Sequence, residues 1–319
     1  MKQVLEFEKP IVKLREEIEE AKKKLAAKPS DKLAQQIADL ETKAENLQRD
    51  IHANLSPWQR VQISRHIGRP FMLDYVKHIT DEFVELHGDR HIGDDNAMPA
   101  GFATIGGQRV AILGHQKGRD TKENLLRNFG SAHPEGYRKA LRLMRMAEKF
   151  SLPIVTLIDT PGAFPGIGAE ERNIAEAIAF NLREMMTLRT PVIAIVIGEG
   201  GSGGALGIGI ADRVLMMENA YYSVISPEGC AAILWKHREH APEAASALKL
   251  SAQDLSKLGI IDGIIPEPLG GAHNDHFAAA SALKDAVFAT LKELNVIPTA
   301  QLLEQRYQKF RALGQFTEG

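Results

Sequence analysis

Hydrophobic residues in the first fifty positions recur at alternating spacings of three and four, the period of one face of an α-helix. Pro29 separates two such stripes, and Ser30 or Asp31 is a candidate cap for the second helix. The stripes consist of Ile11, Leu14, Ile18, Ala21 and Leu25, followed by Leu33, Ile37, Leu40, Ala44, Leu47 and Ile51. The first 50 residues also carry 22 charges, eleven of each sign. We therefore predict an antiparallel helical hairpin over residues 1–56, either an assembly arm or a self-packed appendage.

From residue 57 onward, short apolar runs alternate with segments of helical periodicity. The predicted strands are Arg109–Gly114, Pro153–Asp159, Pro191–Gly198, Arg213–Met217 and Ile260–Pro266. The predicted helices are Tyr137–Phe150, Ala169–Leu188, Pro227–Trp235 and a pair over Asp275–Leu313 that divides near Ile297-Pro298. Strands alternating with helices indicate an α/β fold with parallel pairing, which we assign to one domain over residues 57–319.

Composition excludes several classes of protein. The 319 residues carry a formal net charge of −2, which argues against non-specific nucleic-acid binding as the main activity. The N-terminus has no apolar signal core, and no run approaches the length of a membrane span. A single cysteine, Cys230, excludes an internal disulfide and a cysteine-rich zinc site. We expect a cytoplasmic enzyme.

A glycine-rich corner over residues 198–209 follows the predicted strand Pro191–Gly198. Seven of its twelve residues are glycine. Such a stretch is entropically costly unless the backbone must approach something closely or direct N–H groups at a negative charge. A second strand–turn–helix corner runs through Asp159–Gly166. Two corners that present backbone amides suggest an enzyme that stabilises an enolate or another oxyanion.

Four interpretations of the first corner remain open on these residues alone. The spacing Gly198-x-Gly200-x-x-Gly203, with Glu218 about twenty residues later, fits a dinucleotide-binding fingerprint. The spacing Gly200-x-Ser202-x-Gly204 fits the nucleophile elbow of serine hydrolases. The third interpretation is an oxyanion hole, and the fourth is a turn that only lets a helix pack tightly on a sheet.

Two further groups of polar residues are candidates for binding. His115, Lys117 and Arg119 follow a predicted strand and could contact a phosphate-bearing ligand or a partner protein, or form a solvated loop. A second group surrounds His87, with Asp89, Arg90, Asp94 and Asp95. Its spacing fits no standard metal site, so we predict a structural ion-pair loop there and no metal ligands.

Several motifs, in this order and at these spacings, carry a resemblance that covers essentially the whole chain. They are Glu85-Leu86-His87-Gly88-Asp89-Arg90, Gly114-His115-Gln116-Lys117-Gly118, Pro134-Glu135-Gly136-Tyr137-Arg138-Lys139-Ala140, Asp159–Gly166, Ile197–Gly204 and Ser223-Val224-Ile225-Ser226-Pro227-Glu228-Gly229-Cys230. Together they closely resemble the α-subunit family of the carboxyltransferase component of bacterial acetyl-coenzyme A carboxylase.

This resemblance implies a crotonase (ClpP/crotonase-like) fold, in which ββα units form a spiral, with the N-terminal hairpin and C-terminal helices added. It implies transfer of a carboxyl group from carboxybiotin to acetyl-CoA, giving malonyl-CoA, the committed step of fatty acid synthesis. The implied partners are a carboxyltransferase β subunit in a heterotetramer of two α and two β subunits, the biotin carboxyl carrier protein and biotin carboxylase. Biotin is expected on the separate carrier, and zinc only on the β subunit.

The resemblance also assigns roles to the two corners. The backbone amides of Gly203, Gly204 and Ala205 are expected to form the oxyanion hole for the biotin ureido oxygen. The expected biotin-binding positions are Gly162, Phe164, Pro165, Gly166, Gly200 and Gly201, and for the turn at Phe164 the alternative is a purely structural role. Under this resemblance Ser202 is not a nucleophile.

Three segments depart from the family pattern, of which Ala100-Gly101-Phe102-Ala103-Thr104 is only less typical. Ser131 stands where methionine is expected, and Asn173-Ile174 stands where Gly-Gln is more usual.

Two other functions compete with this assignment. The alternative enzyme is a stand-alone crotonase-type hydratase, isomerase or decarboxylase. The alternative without chemistry is a scaffold subunit that only positions the biotin carrier.

Overall fold

The computed structural model describes residues 4–314, which begin with four helices and continue as a mixture of strands and helices. The helices are α1 Lys9–Ala27, α2 Asp31–Ala53, α3 Pro57–Ser64, α4 Met72–Ile79, α5 Thr121–Leu126, α6 Pro134–Lys149, α7 Ile167–Glu171, α8 Ile174–Thr187, α9 Ser202–Leu206, α10 Pro227–Leu234, α11 Ala241–Ala247, α12 Ala252–Lys257, α13 His276–Leu294 and α14 Thr299–Arg311. The strands are β1 Glu82–Glu85, β2 Ala100–Ile105, β3 Gln108–Gly114, β4 Ile154–Thr160, β5 Val192–Gly201, β6 Arg213–Met217, β7 Tyr221–Ser223 and β8 Gly263–Ile265.

The strands form one mixed sheet in the order β1-β2-β3-β4-β5-β6-β8, with β7 pairing to the far end of β5. Pairing is antiparallel across β1, β2 and β3 and parallel from β3 onward. The parallel pairing that the alternation of strands and helices predicted is therefore confirmed for β3 to β6. β4 and β5 are buried along their whole length, as expected for parallel strands covered on both faces.

The N-terminal hairpin is present, and the predicted cap is Ser30, whose Oγ accepts a hydrogen bond from Leu33 N at 3.4 Å. Its two helices enclose a small apolar cluster of their own, formed by Ile18, Ala21, Ile37 and Ala44 with partly buried leucines around it. The base of the hairpin is joined to the rest of the molecule, since Gln48 Nε2 donates to the Leu269 carbonyl at 3.3 Å. The assembly role and the division at residue 56 stay predictions.

The predicted helix Ala169–Leu188 is wrong as one element, because α7 and α8 are separate. Between them Asn173 has φ 63° and ψ 57°, a left-handed conformation that breaks the helix. Asparagine is among the few non-glycine residues that tolerate this region, which explains why it can stand where glycine is usual. The two predicted C-terminal helices are confirmed, with Pro298 at the start of α14.

The antiparallel strands β1 and β2 were not predicted, and the predicted strand Ile260–Pro266 is only three residues long. The main core lies between the sheet and the helices packed on it, among them α6, α8 and α13. Within residues 4–314 no helix is long and apolar enough to cross a lipid bilayer.

Candidate active site

The first glycine corner is the junction between β5 and α9. β5 continues through Gly201, which is the N-cap of α9 and has no side chain to accept hydrogen bonds from the first turn. The amides of Gly203 and Gly204 occupy the second and third helical positions, whose N–H groups have no partner inside a helix. Gly203 is half-buried, whereas Gly204 and Ala205 are buried. The corner therefore offers N–H donors at a helix start, where the dipole also favours negative charge.

The second corner follows β4 and is fixed by its own hydrogen bonds. Thr160 Oγ1 donates to the Gly162 carbonyl at 2.7 Å and accepts from Gly162 N at 3.1 Å. Phe164 N donates to the Ala132 carbonyl at 3.0 Å, and the Phe164 ring lies 4.1 Å from the His133 ring, centroid to centroid. Pro165 is exposed, so the turn has one face packed and one face open.

The two corners are in direct contact through backbone atoms. A Cβ placed on Gly204 would lie 2.5 Å from both Ala163 N and Gly162 C. A Cβ on Gly201 would lie 2.2 Å from the Pro161 carbonyl oxygen. The predicted positions Gly162, Gly201 and Gly204 are thus brought together, and glycine is required at 201 and 204 because no side chain fits there between the two turns.

The remaining predicted positions lie around this contact. Gly200 lies against β7, because a Cβ there would stand 2.8 Å from the Tyr222 ring. The Phe164 ring covers Gly166, whose Cβ would lie 2.4 Å from it. Pro165 and Gly166 lead from the second corner into α7. The structure therefore arranges all the predicted residues along two adjoining turns.

Beneath the corners lies a buried group of charges that sequence reasoning missed. Lys117 Nζ lies 2.6 Å from Asp159 Oδ1 and 2.7 Å from Glu199 Oε2. The side chains of Asp159 and Glu199 are 2% and 9% exposed, so water cannot replace the lysine as their partner. Both acids stand within the quoted corner motifs. Each acid lies near the carboxyl end of one of two neighbouring parallel strands, and this placement could have predicted a cation shared between them.

Arg65 closes the other side of this charge group. Its Nε donates to Glu199 Oε1 at 2.7 Å, and its Nη1 donates to Glu228 Oε1 at 2.5 Å. The Tyr221 hydroxyl donates to Glu199 Oε1 at 2.8 Å. Burial alone would raise the pKa of Glu199, but the charges and hydrogen bonds of Lys117 and Arg65 outweigh it and lower the pKa to about 2. Glu199 is therefore held ionised and is unsuited to proton transfer.

The loop after β3 does not offer the free cations that the sequence suggested. Lys117 is committed to the buried acids, and Arg119 Nη1 donates to the Arg69 carbonyl at 2.8 Å while its other Nη pairs with Asp74. His115 is fully buried, and neither ring nitrogen has a hydrogen-bond partner among residues 4–314. The solvated-loop interpretation is therefore wrong for the buried side chains of His115 and Lys117, whereas contact of this loop with a phosphate-bearing ligand or a partner protein stays a prediction.

The acidic loop around His87 forms internal contacts. Asp94 Oδ2 lies 2.9 Å from His87 Nδ1, and Asp94 Oδ1 accepts from Lys139 Nζ at 2.5 Å. Asp89 Oδ1 accepts three hydrogen bonds from the backbone N–H groups of residues 91–93. In the described part of the chain, no group of three or more His, Cys, Asp or Glu side chains could hold a metal ion.

The geometry bears on the two motif interpretations that compete with an oxyanion hole. Ser202 has φ 50°, as a nucleophile elbow would, but no side chain among residues 4–314 forms a hydrogen bond with its hydroxyl. A serine nucleophile needs an adjacent base, so this interpretation lacks its second group. The helix after the corner has only five residues, which is short for a dinucleotide-binding unit.

The family described as acetyl co-enzyme A carboxylase carboxyltransferase-like matches residues 4–314. The acetyl-coenzyme A carboxylase carboxyl transferase subunit alpha of Geobacter metallireducens is 57% identical over 316 residues, covering 98% of each chain. The protein of the same name from Synechococcus elongatus is 55% identical over 315 residues, covering 99% of this chain and 96% of its own length.

Solved structures show a likeness in fold at low sequence identity. Transcarboxylase 12S, solved with methylmalonyl-coenzyme A and methylmalonic acid bound, superposes with a TM-score of 0.59 at 20% identity. The likeness covers 76% of this chain and 45% of that longer chain. A Pseudomonas malonate decarboxylase hetero-tetramer in complex with coenzyme A also gives a TM-score of 0.59, at 16% identity over 74% of this chain and 91% of that one. The predicted crotonase-type fold is confirmed.

Proposed function

The chain belongs to the acetyl co-enzyme A carboxylase carboxyltransferase-like family, and on this premise we propose how its two corners take part in carboxyl transfer. The activity is that of an α subunit in the transfer of a carboxyl group from carboxybiotin to acetyl-CoA, which gives malonyl-CoA. Relatives similar over nearly the full length carry this description, so a stand-alone hydratase, isomerase or decarboxylase is not favoured.

The contact between the two corners is the observation that carries the proposal. Uncapped amides of Gly203 and Gly204, with Ala205 next in α9, donate to the ureido oxygen of biotin as it gains negative charge. Phe164, Pro165 and Gly166 form the wall beside the biotin ring, and Gly162, Gly200 and Gly201, which lie in the two adjoining turns, complete the biotin-binding positions. Loss of one such donor from an oxyanion hole costs about 3–4 kcal/mol of transition-state stabilisation in other enzymes.

The acids beside the corner do not serve as the base in this proposal. Asp159 and Glu199 are paired with Lys117, and the pKa of Glu199 is about 2, so it is ionised and engaged at neutral pH. The biotin anion left after decarboxylation then removes the proton from the acetyl methyl group. The resulting enolate attacks carbon dioxide, so the protein supplies charge stabilisation and positioning.

The chain works in a complex with other subunits. We assign the enolate-binding hole and the zinc site to a β subunit, in a heterotetramer of two α and two β subunits. The biotin carboxyl carrier protein brings carboxybiotin from biotin carboxylase, and acetyl-CoA is the acceptor. Large apolar side chains next to the corners support coverage by a partner, since Ile167, Leu206 and Val224 are 75%, 41% and 77% exposed. We propose a cytoplasmic location for this assembly.

The reverse reaction tests the proposal directly. Biotin-dependent decarboxylation of malonyl-CoA is measured with this chain alone and after mixing with a purified cognate β subunit. We expect activity only in the mixture, because each chain contributes one of the two charge-stabilising sites. Absence of activity in a verified complex would overturn the proposed role, and enoyl-CoA hydration by the isolated chain would favour the stand-alone alternative.

A further inference from the structure

The pairing of β4 with β5 is interrupted where the two corners begin. The strands are in register from Ile154 opposite Val192 to Ile158 opposite Val196, and the next pair is Thr160 opposite Gly200. Between these two pairs the chain therefore advances by two residues in β4 but by four residues in β5. The skipped positions include Asp159 on β4 and Gly198-Glu199 on β5. Regular ladder pairing does not hold the two strands together at this point.

Side chains occupy the place of the missing ladder. Asp159 Oδ1 accepts a hydrogen bond from Glu199 N at 2.9 Å and also accepts from Lys117 Nζ. A Cβ on Gly198 would lie 2.5 Å from Asp159 Oδ1, so the carboxylate fills the space against the β5 backbone. Lys117 reaches both strands from the loop after β3, and its ammonium joins the acid of β4 to the acid of β5.

The ion pairs around Asp159 and Glu199 show why the bridge depends on Lys117. Glu199 has a second cation, Arg65, but Lys117 is the only ion-pair partner within 4.0 Å of Asp159 among residues 4–314. Without the lysine, two buried carboxylates would face each other beside the broken ladder. Like charges in a buried site repel strongly because the local dielectric is low. The strand ends, and with them the two turns, would move apart.

We propose that Lys117 is a positioning residue for carboxyl transfer. Its ammonium sets the spacing between the ends of β4 and β5, and this spacing keeps the Gly162–Ala163 peptide against Gly204, so that the two corners form a single binding surface. The inference rests on the role proposed above for the corners. It adds that a buried side chain, which touches no substrate, determines the geometry of the backbone donors.

The test compares two charge-balanced double variants in the assembled enzyme with its β subunit. Lys117→Met/Glu199→Gln removes one cation and one anion from the bridge. Arg306→Met/Asp212→Asn does the same at a more deeply buried pair, whose Nη2–Oδ2 distance is 2.7 Å and which joins α14 to the residue before β6. We expect at least as large a loss in Tm for this control, but only the first variant should lose kcat for malonyl-CoA decarboxylation, by about 10²-fold. KM for malonyl-CoA should stay within about twofold, because the defect lies in transition-state geometry.

A kcat for Lys117→Met/Glu199→Gln equal to that of the control variant would overturn the inference. If that variant does not assemble, Lys117→Arg gives the same test, since it keeps the charge but puts a larger group between the strand ends. We then expect a loss of kcat of about tenfold, and wild-type kcat would contradict the proposal. A Gly204→Val enzyme is assayed in parallel. If it is inactive while the Lys117 variants are fully active, only the positioning role fails, whereas full activity of Gly204→Val would refute the role of the corner itself.

Discussion

Gly204 lies directly against the peptide group that joins Gly162 to Ala163. A Cβ on Gly204 would stand 2.5 Å from Ala163 N, closer than non-bonded heavy atoms approach one another. This contact joins two turns that are about forty residues apart in the sequence. The two turns can therefore lie this close together only because residue 204 has no side chain.

Gly204→Val should abolish carboxyl transfer while the subunits still assemble. The side chain must push the second turn away, because the nearest atoms are backbone atoms that cannot rotate aside. We expect kcat to fall at least about 10²-fold, the loss typical of a misplaced oxyanion donor. The measurement is malonyl-CoA decarboxylation, with assembly followed by size-exclusion chromatography.

Gly93→Ala is the matched control for replacing a glycine. A Cβ at Gly93 meets no atom within 4 Å and the residue lies outside both corners, so its activity should match that of the wild type. Wild-type activity in a Gly204→Val complex would show that the corner is not part of the reaction.

The left-handed conformation of Asn173 predicts a specific order of stabilities. Asn173→Ala should lower the free energy of unfolding by about 1 kcal/mol, since alanine is strained at φ 63°. Asn173→Gly should change it by less than that, because glycine adopts this conformation freely. Asn295→Ala, at a right-handed position with φ −65°, is the control and should be nearly neutral. Urea denaturation measures all three, and equal effects of Asn173→Ala and Asn295→Ala would contradict the structure.

The buried pair between Arg69 and Glu267 predicts a large loss of stability when one partner is removed. The side chains are 1% and 0% exposed, and Arg69 Nε also donates to the Ile197 carbonyl at 2.8 Å. Arg69→Met would leave a buried carboxylate unpaired and should cost about 3–5 kcal/mol. The exposed pair of Arg49 with Glu45 is the comparison, and Arg49→Met should cost less than about 1 kcal/mol. Similar losses for both variants in urea denaturation would show that burial of the first pair is unimportant.

His115 predicts a loss of stability as the pH falls below neutrality. Burial, together with the charge of Lys117, lowers the pKa of His115 to about 3. In the unfolded chain its pKa is about 6.5, so between these values the unfolded state takes up a proton that the folded state does not. The contribution is therefore complete above pH 6.5 and declines toward pH 3, by up to about 1.4 kcal/mol per pH unit.

The variant His115→Leu isolates this effect. Other groups titrate equally in both proteins, so the stability advantage of the wild type over His115→Leu should shrink between pH 7 and pH 5. Chemical denaturation at several pH values measures the difference. A pH-independent difference would mean that the imidazole is accessible to protons in the folded state.

The proposed assembly arm can be tested by shortening the hairpin. Replacing residues 20–42 with a short Gly-Ser turn keeps the base of the hairpin, including the contact of Gln48 with Leu269. We expect weaker association of the subunits and little change in unfolding of the remaining chain, because the apolar cluster of the outer part is formed by its own two helices. Sedimentation at a series of concentrations measures association, and unchanged association would leave the hairpin as an appendage.

The elements with a clear period were predictable from the sequence, and those that depend on tertiary pairing were not. The hairpin, β3 to β6 and the C-terminal helices follow from apolar spacing and from Pro29 and Pro298. β1 and β2 are short and mix polar with apolar residues, so only the pairing of β2 with β3 and of β1 with β2 defines them. The break at Asn173 was missed because periodicity continues across it.

The same distinction applies to the candidate site. The glycine corners could be located because a run of glycines itself indicates a place where the backbone comes close to another group. The bridge from Lys117 to Asp159 and Glu199 depends on the order of strands in the sheet, which brings together residues 42 and 82 positions from the lysine. Nothing local at Lys117 distinguishes it from a surface lysine, so its burial could not be inferred.

The two ends of the sheet also have a consequence for the behaviour of the protein in a crowded cell. β1 forms one edge with only four residues, two of which are glutamates, and β8 forms the other with three. Short edges with repelling charges are poor templates for strand addition by another copy. Neither edge therefore offers a long uncharged strand to another copy of the chain, which disfavours polymerisation through the sheet.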